Sequence, residues 1–359
     1  MFGSLVSSSL AVACLLHATF LAPSSAAATA GTARHMGAVT DLVIFGDSYT
    51  DSCNVWRSQS TTSQADREKY PFPSCPPAPT GRADGGNSWP EWIRIDQGQR
   101  ETKGAPPGGK PFKKGQWNVE NYAQSGATCD NRLFNREPVP DVLQQIHLLK
   151  TKYNTTSPRS YLKSDPSTSV AAMWIGTNDL GFFLKNIQGS LEILKSVDPD
   201  RNGTILDEIS CTVRAFNELY DFGYRRFVLL EAIPLQYTVA YGQDKGSNDT
   251  IEALVQSKNA LEAHAMTKFE SHHENASVEI FPTYHLFKRM YLHPEEYGFN
   301  NVTGYCYQSE SNKCDNPDQL LWQDSLHPGN RAEHILAKKL VRFLEGDRGL
   351  HLLRGREGV

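Results

Sequence analysis

Ser48 follows an apolar run, Val43-Ile44-Phe45, that stops at Gly46-Asp47. Such a run reads as a buried strand handing over to a turn. That places Ser48 just past the carboxyl end of a strand, where open α/β sheets carry their chemistry. A serine hydroxyl is a poor nucleophile until a base takes its proton, and the base needs an orienting partner. Near the far end of the chain, Asp324 and His327 stand three residues apart in Asp324-Ser325-Leu326-His327-Pro328 and can supply both roles. Between these ends lie Ser125-Gly126-Ala127 and Gly176-Thr177-Asn178-Asp179, each after a β-like run. The Gly126 backbone amide and the Asn178 side-chain amide are donors suited to an oxyanion. Taken singly, each of these residues is more often a turn former or a cap. Together they describe a nucleophile, a base and donors for developing negative charge.

Other polar residues read as supports. Asp47 is the rival acid, but beside Ser48 it serves better as a tie for the turn. Asp179 reads as a brace for the loop that aims Asn178. His264, His272 and His273 lie on or after a polar helix and read as solvated. The chain has no CxxC and no HExxH spacing, so neither a metal nor an organic cofactor is implied.

These pieces resemble the four sequence blocks of the GDSL, or SGNH, esterases and lipases. The first block matches Phe45-Gly46-Asp47-Ser48 with Asp51, the second Asn121-Tyr122-Ala123-Gln124-Ser125-Gly126-Ala127, the third Gly176-Thr177-Asn178-Asp179 and the fourth Asp324 to Pro328. Any one block is weak evidence; four in order across most of the chain are specific. One departure is that Tyr49 stands where the family's name has leucine. The resemblance implies a three-layer α/β/α, flavodoxin-like fold around a central parallel sheet. It also implies a catalytic set of Ser48, Asp324 and His327, and an oxyanion hole made by the Ser48 and Gly126 N–H groups and Asn178.

The elements needed to position these residues can be read along the chain. Strands are expected at Asp41 to Phe45, Val119 to Ala123, Ser169 to Ile175, Arg226 to Ala232 and Ser277 to Phe281. Helices are expected at Asp51 to Ser58, from Asn87, and at Val139 to Lys150, Ile205 to Phe222, Thr250 to Ser271, His285 to Tyr291 and Asn330 to Leu344. Strands alternating with helices predict a parallel sheet covered on both sides. Ser60 to Gly86, Glu101 to Gly115 and the cysteine-bearing stretch Asn300 to Gln319 read as loops. The four blocks must converge across these loops, so residues 41–346 are expected to form a single domain.

The net charge of −4 over 359 residues gives no sign of a nucleic-acid surface. Residues Ser4 to Ala22 are largely apolar and lead into small residues around Ala26, which reads as a secretory signal peptide and processing region over residues 1–30. No later stretch is long and apolar enough for stable membrane insertion. Six cysteines follow Cys14, an even number suited to disulfides in an oxidising compartment. Spacing favours Cys306 with Cys314, then Cys53 with Cys75. Sequons at Asn154, Asn202, Asn248, Asn275 and Asn301 suit N-glycosylation of a secreted, extracellular protein.

The segments Gly85-Gly86-Asn87-Ser88-Trp89-Pro90 and Trp174 to Gly181 are similar to fungal family-sixteen carbohydrate esterases. That resemblance implies removal of acetyl groups from carbohydrate such as xylo-oligosaccharides. Trp89, Trp174 and Trp322 are then candidates for flat faces against a sugar ring. A lipase or phospholipase of the same superfamily is one alternative, and a non-catalytic carbohydrate-binding protein is another.

Overall fold

Parallel strands buried on both faces need near-continuous apolar runs, and past their first residues the central strands have them. In a computed structural model, β1 (Asp41–Gly46), β2 (Asn118–Asn121), β3 (Ser169–Trp174), β4 (Arg226–Leu230) and β5 (Ser277–Phe281) form one sheet in the order β2-β1-β3-β4-β5. Every pairing is parallel. The structure describes residues 38–59, 61–69, 75–77, 82–83, 85–98, 116–134, 136–153, 165–186, 203–242, 244–306 and 314–346. The expected signal region, the Glu101–Gly115 stretch and the sequons at Asn154 and Asn202 lie outside them.

Helices follow in chain order: α1 (Asn54–Ser58), α2 (Gln64–Lys69), α3 (Trp89–Asp96), α4 (Val142–Tyr153), α5 (Thr177–Asn186), α6 (Ile205–Asp221), α7 (Val239–Gly242), α8 (Lys245–His272), α9 (Thr283–Leu292) and α10 (Asn330–Leu344). Alternate strand residues feed two separate cores, because successive side chains point to opposite faces. Leu42, Ile44, Val170, Ala172 and Val228 pack with α3, α9 and α10. Val43, Phe45, Ala171, Met173 and Leu229 pack with α4, α6 and the second half of α8. The result is a three-layer α/β/α arrangement with the strand order of flavodoxin-like folds.

The stretch Asn300 to Gln319 is not only a loop. It opens with β6 (Asn301–Tyr305), which pairs in parallel with β7 (Leu320–Trp322). The pair is two-stranded, partly exposed and too short to leave a clear alternating pattern in the sequence. The Ser60–Gly86 stretch likewise contains α2, an exposed single turn and a half. Helix α5 begins directly in the Gly176-Thr177-Asn178-Asp179 block, with Asp179 in its first turn. Three disulfides are formed: Cys53–Cys75, Cys129–Cys211 and Cys306–Cys314. Among the described sequons, Asn275 and Asn301 are exposed, while the Asn248 amide donates to the Gln236 carbonyl (2.8 Å). No helix among the described residues is long and apolar enough to cross a membrane.

Helices α6 and α8 are tied together by buried charge. Lys258 is fully buried on α8, with its ammonium 2.6 Å from Glu262 Oε1 and 3.5 Å from Glu208 Oε1 of α6. Burial pushes the Lys258 ammonium toward neutrality, but the two carboxyls outweigh it and hold the pKa above the ordinary value. The Lys258 stem lies where a side chain on Gly176 would begin: a Cβ there would stand 2.1 Å from its Cε. Gly176, at φ +110°, therefore lets the end of β3 close over this ion cluster. Removing one partner of a buried ion pair leaves the other uncompensated. Lys258→Met is expected to lower the unfolding free energy by roughly 3–5 kcal/mol. Adding Glu208→Gln and Glu262→Gln should recover part of that loss. Urea unfolding of the three proteins measures both effects, and a wild-type midpoint for Lys258→Met alone would contradict the assignment.

Candidate active site

β1 ends against β3 at equal height, with Gly46 opposite Trp174 in the register. A Cβ on Gly46 would meet the Trp174 carbonyl at 2.4 Å, so glycine is required for the strands to end this close together. Helix α4 fixes the Gly46 peptide from one side: Gly46 N–H donates to Gln145 Oε1 (3.0 Å), and Gln145 Nε2 donates back to the Gly46 carbonyl (2.9 Å). The turn after β1 is closed by the Thr50 and Asp51 N–H groups, both donating to the Asp47 carbonyl. Asp47 Oδ1 accepts the Tyr49 N–H (3.1 Å). Ser48 is thus held at the carboxyl end of β1, beside the carboxyl end of β3.

Asp51 joins the first block to the second. Its carboxylate accepts the N–H groups of Asn54 (2.6 Å), Val55 (3.2 Å) and Ser125 (2.8 Å). Asn54 Nδ2 donates to the Asn121 and Ala123 carbonyls, and Asn121 Nδ2 donates to the Thr50 carbonyl. This web sets Gly126 (φ +87°) next to the nucleophile turn. Among the described residues, no acceptor takes the N–H of Ser48 or of Gly126. In the third block Asn178 Nδ2 donates to the Ala127 carbonyl (2.8 Å), which uses one amide hydrogen and leaves the other. Asp179 Oδ1 accepts the Cys129 N–H (3.1 Å), a second tie between the Asn178 turn and the segment after Ala127.

The fourth block arrives from outside the large sheet, on the turn between β7 and α10. Asp324 Oδ1 accepts the N–H groups of Leu326 and His327, each at 2.7 Å. Gln323 N–H donates to the His327 carbonyl (2.8 Å), and Ala240 N–H donates to the Ser325 carbonyl (2.7 Å). His327 Nδ1 is 2.7 Å from Asp324 Oδ2, and its Nε2 is 2.9 Å from Ser48 Oγ. With Nδ1 directed at Asp324, Nε2 faces the Ser48 hydroxyl within hydrogen-bonding distance. Burial raises the Asp324 carboxyl, but the hydrogen bonds from His327 and Leu326 outweigh it and hold the pKa below the ordinary value. The acid is therefore ionised where the imidazole needs a counter-charge. Hydrogen bonds thus join Asp324, His327 and Ser48 in series, tie Asn178 to Ala127 beside Gly126, and link that segment through Asp51 to the turn that carries Ser48. These turns follow the carboxyl ends of β1 and β3, the switch point of this strand order.

The three tryptophans need correction. Trp89, Trp174 and Trp322 are 0, 1 and 1% exposed, and none offers a face to a ligand. The Trp89 indole donates to Thr50 Oγ1 (3.2 Å), Trp174 to the Glu231 carbonyl (3.0 Å) and Trp322 to the Val302 carbonyl (2.9 Å). All three stand beside a motif in sequence, but the pleat of β3 and β7 turns Trp174 and Trp322 into the core, and Trp89 is buried in the first turn of α3. Sequence reading also passed over Gln145 and Lys258, which carry no motif and act through packing on the strand ends.

A family model described as GDSL-like lipase/acylhydrolase matches residues 42–340. The chain belongs to that family. Among its relatives are two acetylesterases, from Hypocrea jecorina (26% identical, covering 85% of this chain and 88% of that protein) and Thermothelomyces thermophilus (25%, 85% and 88%). A GDSL esterase/lipase of Arabidopsis thaliana is 25% identical over 84% of this chain and 88% of its own length. This GDSL-like acylhydrolase is a carboxylic ester hydrolase.

Behind Ser48 the site is electrostatically unusual. Desolvation pushes Asp47 up to about 7, helped by the neighbouring Asp179, itself pushed up to about 7 mainly by burial. Asp47 therefore binds its proton more tightly in the folded chain than in the unfolded one. Its contribution to stability is complete below the unfolded value of 3.8 and drains away as pH rises toward about 7. Asp47→Asn keeps an acceptor for the Tyr49 N–H and removes the titration. The variant is expected to lose less stability than the native chain between pH 4.5 and 7.5. Urea unfolding at the two pH values tests this, and equal losses in both proteins would refute it.

Proposed function

We propose that this chain is a secreted serine esterase that removes acetyl groups from carbohydrate such as acetylated xylo-oligosaccharides. Its single catalytic domain spans residues 41–346 and follows a cleaved signal peptide. The observation that carries the reading is the unbroken chain Asp324–His327–Ser48, at 2.7 and 2.9 Å. Ser48 Oγ attacks the ester carbonyl carbon while His327 Nε2 takes its proton. The carbonyl oxygen, now negative, accepts hydrogen bonds from the Ser48 and Gly126 N–H groups and from Asn178. As the carbon–oxygen bond to the sugar breaks, His327 returns the proton to the departing hydroxyl. Water then attacks the acetyl-serine, giving up a proton to His327; the bond from the acetyl carbon to Ser48 Oγ breaks, His327 returns the proton to Oγ, and acetate leaves.

Two observations favour a short acyl group on a polar alcohol over a lipid substrate. The fungal relatives carry the name acetylesterase. The exposed large apolar residues among the described ones, Ile95, Leu148, Leu206 and Leu292, sit singly on α3, α4, α6 and α9 and make no patch. The signal-like leader, the three disulfides and the exposed sequons support secretion.

Position-resolved NMR of acetylated xylo-oligosaccharides is expected to show acetate release that Ser48→Ala abolishes. Nitrophenyl acetate should be cleaved faster than the octanoate; the opposite order would favour the lipase reading. Asn178→Ala is expected to lower kcat by about 10²–10³. A kcat within a few-fold of the native value would remove Asn178 from the anion-binding role.

A further inference from the structure

The residue after the nucleophile is Tyr49, at the position for which the family's name has leucine. Its side chain is 0% exposed, in the core beside the crevice. Its hydroxyl donates to the Leu326 carbonyl at 3.1 Å. Leu326 immediately precedes His327 and lies on the same Asp324–His327 turn. The Tyr49 ring meets the His327 ring edge to face, with centroids 5.6 Å apart and planes at 89°. On its other side the ring packs against Trp174 at the end of β3, at 5.1 Å and 50°. Its own N–H is fixed by Asp47 Oδ1. A leucine could fill part of this volume, but it could not satisfy the Leu326 carbonyl.

We propose that Tyr49 is a positioning residue for the general base. It fixes the turn through its hydroxyl and limits the tilt of the imidazole through its ring. The inference rests on the reading of Ser48 and His327 given above. Outside the large sheet, the base turn has only a few anchors, and Tyr49 is the anchor that comes from the nucleophile's own turn. Tyr49 therefore links the base turn directly to the residue next to Ser48, in addition to the bonds that Asp324, Gln323 and Ala240 make to that turn. Aromatic contact of this kind restricts ring orientation, and a hydrogen bond restrains the backbone that carries the ring.

Tyr49→Phe removes the hydroxyl alone. With nitrophenyl acetate, kcat is expected to fall on the order of tenfold, with KM within about twofold, the signature of a misplaced base rather than a damaged binding surface. Tyr49→Leu, which also removes the ring, is expected to fall further. The low-field proton NMR signal of the imidazole Nδ1–H donated to Asp324 should broaden or shift in both variants. All measurements are made below the onset of thermal unfolding of each protein. A kcat and an imidazole signal for Tyr49→Phe that match the native protein would overturn the inference, as would native kcat in Tyr49→Leu. Ser48→Ala, run in parallel, separates the two levels. Surviving turnover there overturns the nucleophile reading itself, whereas an inactive Ser48→Ala beside an unaffected Tyr49→Phe overturns only the role of Tyr49.

Discussion

The site depends on how β1 and β3 end. Both strands are parallel and adjacent, and their last residues, Gly46 and Trp174, stand opposite one another. The strand ends are therefore level, and the turns that follow emerge side by side. Ser48 and Asn178, 130 positions apart in sequence, become neighbours without any long loop to place them. The closeness has one steric condition, the missing side chain at Gly46, because the Trp174 carbonyl occupies the space a Cβ would need. Everything else around the crevice secures this meeting of two strand ends.

Securing it requires polar groups where water cannot reach. The turns leave N–H groups that the sheet does not satisfy, and buried carboxylates accept them: Asp47 for Tyr49, Asp51 for Asn54 and Ser125, Asp179 for Cys129. Desolvation disfavours their charged forms, raising Asp51 to about 6 as well as Asp47 and Asp179 to about 7. Lys258 supplies the opposing positive charge from beneath Gly176. The backbone around the nucleophile is thus held by directional bonds in a medium of low polarity, where each bond is strong and each lost partner is costly. The Cys129–Cys211 disulfide ties the second block to α6, the helix that also carries Glu208.

The parts of this design written in local pattern were legible, and those written in tertiary packing were not. β5 and α10 have the limits read from the sequence, since each pairs a clear periodicity with clear boundaries. The β2 strand stops at Asn121 rather than Ala123, because Asn121 turns its side chain to the Thr50 carbonyl and the chain leaves the sheet edge. α8 begins at Lys245 rather than Thr250, because Asp244 caps it through the Ser247 N–H and carries the helix across Gly246. Lys258 was invisible for a related reason. On a long, mostly polar helix one lysine looks like any solvated lysine until the partner helix is in place. The tryptophans failed in the opposite sense. Their positions beside motifs suggest a sugar platform, yet Trp174 and Trp322 end strands whose pleat points them into the core, and Trp89 opens a helix whose inner face packs on the sheet.

The division of labour between sheet and loop also suits the chemistry. Donors that stabilise developing charge work best when they need not reorganise as the charge appears. The Ser48, Gly126 and Asn178 groups sit on strand ends fixed by parallel register, Gln145, Asp51 and the buried ion cluster. In the proposed mechanism the base has a different task, because the same nitrogen takes a proton from serine and delivers it to a departing oxygen. Its turn lies outside the large sheet, and the Asp324 and His327 side chains stay 34% and 17% exposed while Ser48 is 5% exposed as a residue. On the proposed mechanism, fixed donors and a separately anchored imidazole suit both acylation and deacylation, since only the proton carrier must address two partners.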